Sequence, residues 1–277
     1  MYSFIYDEYK VRDFFLSVVP PLGNSEVYFL SLSARNKYLS EPEREYYGLG
    51  RTEMFARSIV RHYDVEKFIK ALRRYECSYG SYLTKKGLDI PEKCIIVYMN
   101  INPSNAILAY KEFSHRMGDI LIESAYNSDR GKNLPKDDLS KFTKLDVELM
   151  DSFQRSTGIK HYIDIDFDIE ERGFYLVEEF LSVIDHYSGG VAQYAVVDTK
   201  GGYHVLLKRD TIKFNYLEVV NHFNNKLSST DVKHPMGRTT EIVVNKNLMI
   251  PIPGTYQGGY PVRLMFHKLN HMASVRT

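Results

Sequence analysis

The segment HYIDIDF, residues 161–167, decides the predicted fold. Its apolar residues alternate with Asp164 and Asp166, which is the pattern of a half-buried β-strand. Side chains two residues apart on a strand share a face, so the two aspartates project together, about 7 Å apart at the backbone. Asp168 would join them if the strand continues. A strand with a plain solvent-facing acidic side shows the same alternation, so this segment alone leaves both interpretations open.

The elements after this strand follow the order β-α-β-β-α-β. An amphipathic helix comes first and ends at Gly189-Gly190. Two strands joined by a Gly-Gly turn follow, and then a second helix and further strands. The predicted helices span residues 171–186 and 212–227, and the predicted strands span 192–197, 203–208, 240–244 and 248–252. This order predicts an α+β fold with a split-βαβ, ferredoxin-like or RNA-recognition-type (RRM-like) module and a mainly antiparallel sheet.

The N-terminal half predicts a mixed αβ module. We expect strands at residues 26–33 and 94–101 and a helix after Pro103. Residues 53–75 are expected to be helical, with a break near Tyr63 and with Asp64 as an N-cap. The polar stretch 127–141 is typical of an exposed loop. The sequence therefore predicts an N-terminal αβ module at residues 1–140 and an RRM-like catalytic module at 141–277.

Composition narrows the class of protein. Of 277 residues, 44% are hydrophobic and 26% are charged, which is typical of a globular protein. We expect a cytoplasmic protein with no membrane partner, because no apolar run approaches the roughly 20 residues of a membrane span and the N-terminus lacks signal-peptide features. Only Cys77 and Cys94 occur, so no zinc site is expected. The net charge of +1 neither favours nor excludes a nucleic-acid partner.

A glycine-rich turn, TKGGYH at residues 199–204, lies between two predicted strands. Gly201 and Gly202 let the backbone approach an anion closely. Lys200 adds a point charge suited to phosphate, and His204 begins the next strand, where it can donate to a phosphate oxygen. A tight hairpin with a surface lysine is the alternative. A proline- and glycine-rich loop, residues 250–259, comes later and precedes Arg263, which is placed to bind an anion.

These three segments, in this order on this frame, resemble the archaeo-eukaryotic primase superfamily over about residues 162–264. The matching parts are the acidic strand, the 199–204 turn and the Pro253-Gly254-Thr255 loop. Residues 26–39, EVYFLSLSARNKYL, look like the early strand that flanks the catalytic cleft in these enzymes. The lack of a zinc-binding knob is similar to compact primase-polymerases of viruses, plasmids and mobile elements.

The resemblance implies a site for two Mg²⁺ or Mn²⁺ ions, held by Asp164, Asp166 and a third acid. Glu241 is the candidate for the third position, and Asn245 is the alternative. If Asn245 fills it, the site has lost a charge. His204 would act with the three acids in catalysis. The incoming triphosphate would be bound by six residues, which are Thr199, Lys200, Gly201, Gly202, His204 and Arg263.

The function implied is that of a DNA primase or primase-polymerase, which makes primers on single-stranded DNA from NTPs or dNTPs. A helicase or an accessory primase subunit is a further candidate partner. The alternatives are a primer-extending repair polymerase of the same fold, a non-catalytic nucleic-acid-binding module and a two-metal nuclease. Basic residues of the N-terminal half are open as template contacts, and they are Arg35, Lys37, Arg51, Arg57, Arg61, Arg73 and Arg74.

Overall fold

The computed structural model describes residues 1–129, 144–233, 240–245 and 249–269. They form an α+β fold with two mainly antiparallel sheets, which confirms the predicted class. Most of the predicted 127–141 loop, and with it the expected module boundary, lies outside these residues. The α-helices are α1 (Glu8–Ser17), α2 (Glu41–Tyr47), α3 (Val65–Arg73), α4 (Ala106–Asp129), α5 (Leu145–Arg155), α6 (Phe174–Tyr187) and α7 (Tyr216–Leu227). Within the described ranges, no helix has both the length and the hydropathy of a membrane span.

The strands form two sheets. The first sheet runs β11-β10-β3-β1-β2, with β4 paired to β1 and β9 to β3, and the second runs β12-β6-β7-β5-β8. In chain order the strands are β1 (Glu26–Arg35), β2 (Thr52–Val60), β3 (Ile95–Asn100), β4 (Ser104–Asn105), β5 (Tyr162–Phe167), β6 (Tyr194–Thr199), β7 (Gly202–Lys208), β8 (Ile242–Val244), β9 (Met249–Pro251), β10 (Tyr256–Gln257), β11 (Tyr260–Pro261) and β12 (Arg263–Lys268).

The first sheet is covered by helices on both faces. Its central strand β1 is an almost continuous buried run, as expected for a strand enclosed on two sides. Tyr28, Leu30 and Leu32 pack in the same cluster as α1 and α3. Val27 and Phe29 point the other way and pack with residues of α4 and α5. This packing fixes the end of β1, which leads into the candidate site.

The second sheet has the β-α-β-β-α-β order predicted from the sequence, from β5 through β8. Ile165 and Phe167 pack beneath α6 and α7, as their alternation predicts. Residues of the opposite face, including Val197 and Leu206, join the core of the first sheet. Asn102 before β4 exchanges hydrogen bonds of 2.8 and 2.9 Å with the backbone of Tyr162. The acidic face of β5 is therefore turned toward the first sheet.

The predicted helix over residues 53–75 is wrong in its first part. Residues Thr52–Val60 form β2, which pairs along β1, and only Val65–Arg73 is helical. Local composition permits a helix here, but pairing with a buried strand outweighs so weak a propensity. The predicted cap is confirmed, since the Asp64 side chain accepts a hydrogen bond of 3.0 Å from the backbone N–H of Lys67.

The C-terminal segment returns to the first sheet. Strands β9 and β10 pair with β3, and only β12 rejoins the second sheet. The loop between β9 and β10 passes close under the N-terminus, where Gly254 at φ +90° leaves no room for a Cβ beside the carbonyl of Asp7. The segment after β8 therefore contributes strands to both sheets.

Candidate active site

The two predicted aspartates of β5 share a face but differ in exposure. Asp164 is completely buried, whereas 31% of the Asp166 side chain is exposed. Asp166 pairs with His204 on β7 and with Val243 on β8, so both neighbouring strands add side chains to this face. The period of two in a strand accounts for the shared face, and the neighbouring strands account for the difference in burial.

His204 lies between the two carboxylates. Its Nδ1 donates to Asp164 at 3.0 Å from Oδ1 and 3.2 Å from Oδ2, and its Nε2 lies 3.8 Å from Asp166 Oδ1. The side-chain amide of Asn245 donates to Asp164 Oδ2 at 2.8 Å. Both oxygens of Asp164 are therefore occupied by protein donors, and His204 is held in one orientation.

The charges of this cluster depend on one another. Burial alone would lower the pKa of His204, but the negative charges of Asp164 and Asp166 outweigh it and raise that pKa to about 9. Burial raises the pKa of Asp166 to about 6, with the His204 charge opposing this and the neighbouring aspartates adding to it. At neutral pH the imidazole is therefore cationic, and it neutralises part of the acidic charge.

A cleft of about 110 Å³ opens between the sheets beside this cluster. Asp166 and Asp168 line it from the second sheet, and Arg35 and Lys37 line it from the end of β1. Arg35 donates to the Tyr98 hydroxyl at 3.1 Å, but its Nε is buried and has no hydrogen-bond partner among the described residues. Carboxylates and cations therefore face the same small space.

The glycine-rich turn forms one wall of the cleft. The Thr199 hydroxyl accepts from the backbone N–H of Gly201 at 3.2 Å and donates to the carbonyl of Gly202 at 3.0 Å. Gly202 has φ +136°, and a Cβ there would lie 1.9 Å from the carbonyl oxygen of Phe167. A Cβ on Gly201 would lie 3.7 Å from Asp168 Oδ1. Close packing of the turn against β5 thus requires a glycine at position 202, whereas position 201 has room for a Cβ at ordinary contact distance.

Lys200 does not point into the cleft. Its Nζ donates to the carbonyl of Gly258 at 2.5 Å and lies 4.5 Å from the centre of the Tyr38 ring. Its backbone N–H donates to Gln257 Oε1 at 2.8 Å. Burial, and then the nearby charge of Lys93, lower the pKa of Lys200. Lys200 therefore anchors the β10–β11 loop to the turn instead of contributing charge to the cleft.

Arg263 lies on the other face of the second sheet. Arg263 pairs with Asp198, which shares a face of the sheet with Val196, and Val196 packs under the helices. The next residue of β12, Leu264, lies on the opposite face, toward the cleft. The Arg263 guanidinium lies 6.0 Å from the Tyr260 ring. The structure does not bring Arg263 to the carboxylates, because side chains alternate between the two faces along β12 and Arg263 lies on the face away from the cleft.

Glu241 and Asn245 were the two candidates for the third acid. Glu241 is exposed and does not line the cleft, and its carbonyl accepts the backbone N–H of Asp168 at 3.0 Å. Asn245 lines the cleft and contacts Asp164. The residue placed against Asp164 is therefore an amide, not a carboxylate.

The side chains of the site offer a divalent cation fewer ligands than the sequence motifs suggest. In the described part of the chain, no group of three or more His, Cys, Asp or Glu side chains is arranged as a metal site. Asp164 has both oxygens engaged, so Asp166 and Asp168 are the carboxylates that open on the cleft. Oxygen ligands of this kind suit one Mg²⁺ or Mn²⁺ ion.

Two basic residues that line the cleft, Arg35 and Lys37, were not singled out from the sequence. They were among seven basic residues of the N-terminal half, and nothing in their local sequence pattern distinguished them from the other five. The only signal was their place at the end of a strongly apolar strand, where β1 leaves the core. By contrast, Arg57 and Arg73 form ion pairs with Asp151 and Glu76 at 2.8 and 2.6 Å.

No family model, curated protein or solved structure gives a significant match to this chain. The class that fold and site define is an α+β protein with a charged cleft between two antiparallel sheets. The likeness to archaeo-eukaryotic primases rests on the order of the sequence motifs and stays a hypothesis.

Proposed function

We propose that this protein is a template-dependent nucleotidyltransferase of the primase or primase-polymerase type, with an archaeo-eukaryotic primase-like core. The observation that supports this function is the charge pattern of the cleft. Asp166 and Asp168 lie across a small space from Arg35 and Lys37. A nucleoside triphosphate with its divalent cation needs both kinds of partner, since carboxylates bind the cation and basic side chains bind the phosphates.

The cleft divides the binding work among these side chains. Arg35 offers an unpaired Nε donor, and Lys37 adds a second positive charge for phosphate oxygens. Asp166 and Asp168 would hold Mg²⁺ or Mn²⁺, which when bound supplies charge neutralisation at the phosphates. His204, oriented by Asp164, presents its second nitrogen on the cleft side, 3.8 Å from Asp166 Oδ1.

The size of the cleft sets what it can enclose. A volume of about 110 Å³ is well below the roughly 300 Å³ of a pocket for a whole small ligand. We therefore place the phosphates and their cation inside and the nucleoside outside, toward the open edge. The 3′-hydroxyl of a primer or initiating nucleotide would attack the α-phosphate there, and pyrophosphate would leave.

A second candidate function follows from Asn245. Asn245 donates an amide hydrogen bond to Asp164, whereas Glu241 is exposed outside the cleft. A site that has lost one carboxylate retains nucleotide binding more readily than catalysis, because binding needs fewer ligands than two-ion phosphoryl transfer does. The alternative is thus a non-catalytic nucleotide- or nucleic-acid-binding module.

An incorporation assay separates these functions. Wild type, Asp166→Asn and the exposed control Asp13→Asn are incubated with labelled NTPs or dNTPs, Mg²⁺ or Mn²⁺, and either bare single-stranded DNA or an annealed primer. We expect products from wild type and Asp13→Asn, and at least about a 100-fold loss in Asp166→Asn. Extension of the primer alone would indicate a repair polymerase.

Two results would contradict the proposal. Full activity of Asp166→Asn would remove Asp166 from the reaction. No incorporation by wild type on either substrate, together with saturable nucleotide binding, would favour the non-catalytic module.

A further inference from the structure

Three cavities of the protein lie next to one another and share wall residues. Asn245 lines both the active-site cleft and a middle cavity of about 410 Å³. Lys160 lines both that middle cavity and an outer groove of about 790 Å³ along α4. The three cavities therefore lie in a row, here called the path, that runs from the cleft past the start of β5 to the surface of α4.

The path carries cations that have no partner in the described part of the chain. Lys111 and Lys160 in the outer groove and Arg209 in the middle cavity make no side-chain hydrogen bond or ion pair with any described residue. Other cations of the groove are neutralised, since Arg116 pairs with Glu148 at 2.6 Å and Arg155 with Glu112 at 3.2 Å. The one remaining acid, Asp119, also lines the groove. The unpaired positive charge is thus spread along the path.

The acidic residue that borders the middle cavity does not prevent a polyanion from binding along this path. Asp164 borders the middle cavity, but it is completely buried and both of its oxygens accept protein hydrogen bonds. Tyr216, which is partly buried, adds an aromatic ring to the same wall. Phosphates bind unpaired Lys and Arg, and bases stack on aromatic rings, so the lining suits a single nucleic-acid strand.

The middle cavity has the size of a pocket for a single small ligand. Its 410 Å³ leaves room for one unpaired base. We propose that Lys111, Lys160 and Arg209 form a binding track for single-stranded nucleic acid, whose strand reaches the cleft past Asn245. The proposal rests on the proposed function in so far as this strand is its template or primer.

The test measures binding without chemistry. Fluorescent oligo-dT is titrated in EDTA, without nucleotides, against wild type and the triple variant Lys111→Glu/Lys160→Glu/Arg209→Glu over a salt series. We expect at least about a tenfold loss of affinity at low salt, and a salt slope smaller by about 2, since each lost contact removes about 0.7 for a single strand.

A matched control carries the same charge change elsewhere. Lys67→Glu/Lys70→Glu/Lys85→Glu alters exposed lysines on α3 and in the segment between α3 and β3, and α3 packs in a different cluster from α4. Unchanged binding by this control supports the track. Equal weakening in both triple variants, or wild-type affinity and slope in the track variant, would overturn it.

Two further outcomes separate the track from the proposed function. Equally tight binding of duplex DNA would overturn the single-strand assignment. Track-dependent binding by a protein that incorporates no nucleotide would support the track and remove the polymerase activity.

Discussion

Asp164 and Asp166 look equivalent in the sequence but should respond differently to substitution. Asp164 is buried and accepts from His204 and Asn245, whereas Asp166 opens on the cleft and accepts no close hydrogen bond from His204, whose Nε2 lies 3.8 Å away. We therefore predict that Asp164→Ala mainly lowers the free energy of unfolding, and that Asp166→Ala mainly affects ligand binding.

The magnitudes follow from what each substitution leaves behind. Asp164→Ala removes the acceptor of a buried donor on His204 and of a partly buried donor on Asn245. A buried donor without an acceptor costs about 1–3 kcal/mol, and breaking a buried charged pair costs about 3–5 kcal/mol, so we expect a loss of about 3–5 kcal/mol. Asp166→Ala removes a carboxylate whose charge is disfavoured by burial, as its raised pKa shows. Its effect should stay within about 1 kcal/mol.

Urea denaturation measures this difference. The chain contains no Trp, so far-UV circular dichroism is the suitable signal. Both variants are compared with wild type in EDTA at about pH 7, with the slope of unfolding free energy against urea as a check on two-state behaviour. Asp164→Asn, which keeps one acceptor oxygen, should fall between wild type and Asp164→Ala. Equal losses in the two alanine variants, or a larger loss in Asp166→Ala, would refute the division of roles.

Two further predictions concern packing and thiol chemistry. Gly202→Ala should lose more than about 2 kcal/mol, because its Cβ would lie 1.9 Å from the Phe167 carbonyl, whereas Gly118→Ala, with open space inside α4, should gain about 0.5–1 kcal/mol. The same urea assay checks both, and a wild-type-like Gly202→Ala would contradict the close approach. Iodoacetamide at about pH 8 should modify the partly exposed Cys77 and spare Cys94, because burial raises the pKa of Cys94 to about 12. Mass spectrometry counts the adducts, and equal labelling of both thiols would count against this.

The parts of the site that follow from strand periodicity could be predicted from sequence. The shared face of Asp164 and Asp166, and the burial of Ile165 and Phe167, need only the alternation within β5. The direction of the Lys200 side chain could not be predicted, because its hydrogen-bond partner Gly258 lies 58 residues away in the sequence. Strand periodicity does not determine where a long, flexible side chain ends.

The alternation of side chains along a strand also explains why Arg263, expected to bind the triphosphate, does not lie in the cleft. The sequence indicates that a cation follows the Pro-Gly loop, but it does not indicate at which residue β12 begins to pair. Pairing of Arg263 with Asp198 commits it to the helix side of the sheet, and a register shifted by one residue would have turned it to the cleft. Register therefore limits what motif spacing alone can say about this residue.

The cleft depends on the C-terminal segment, which contributes strands to both sheets. Its carboxylates come from β5 and its cations from the end of β1, which lie in different sheets. Strands β9 and β10 pair with β3 of the first sheet, and Lys200 of the turn in the second sheet is tied to the loop after β10. Lys200, which the sequence motifs assign to nucleotide binding, is thus one of the residues that hold the two sheets together. Lys200 contributes to the cleft by positioning its walls, and the charges that would meet the phosphates are those of Arg35 and Lys37.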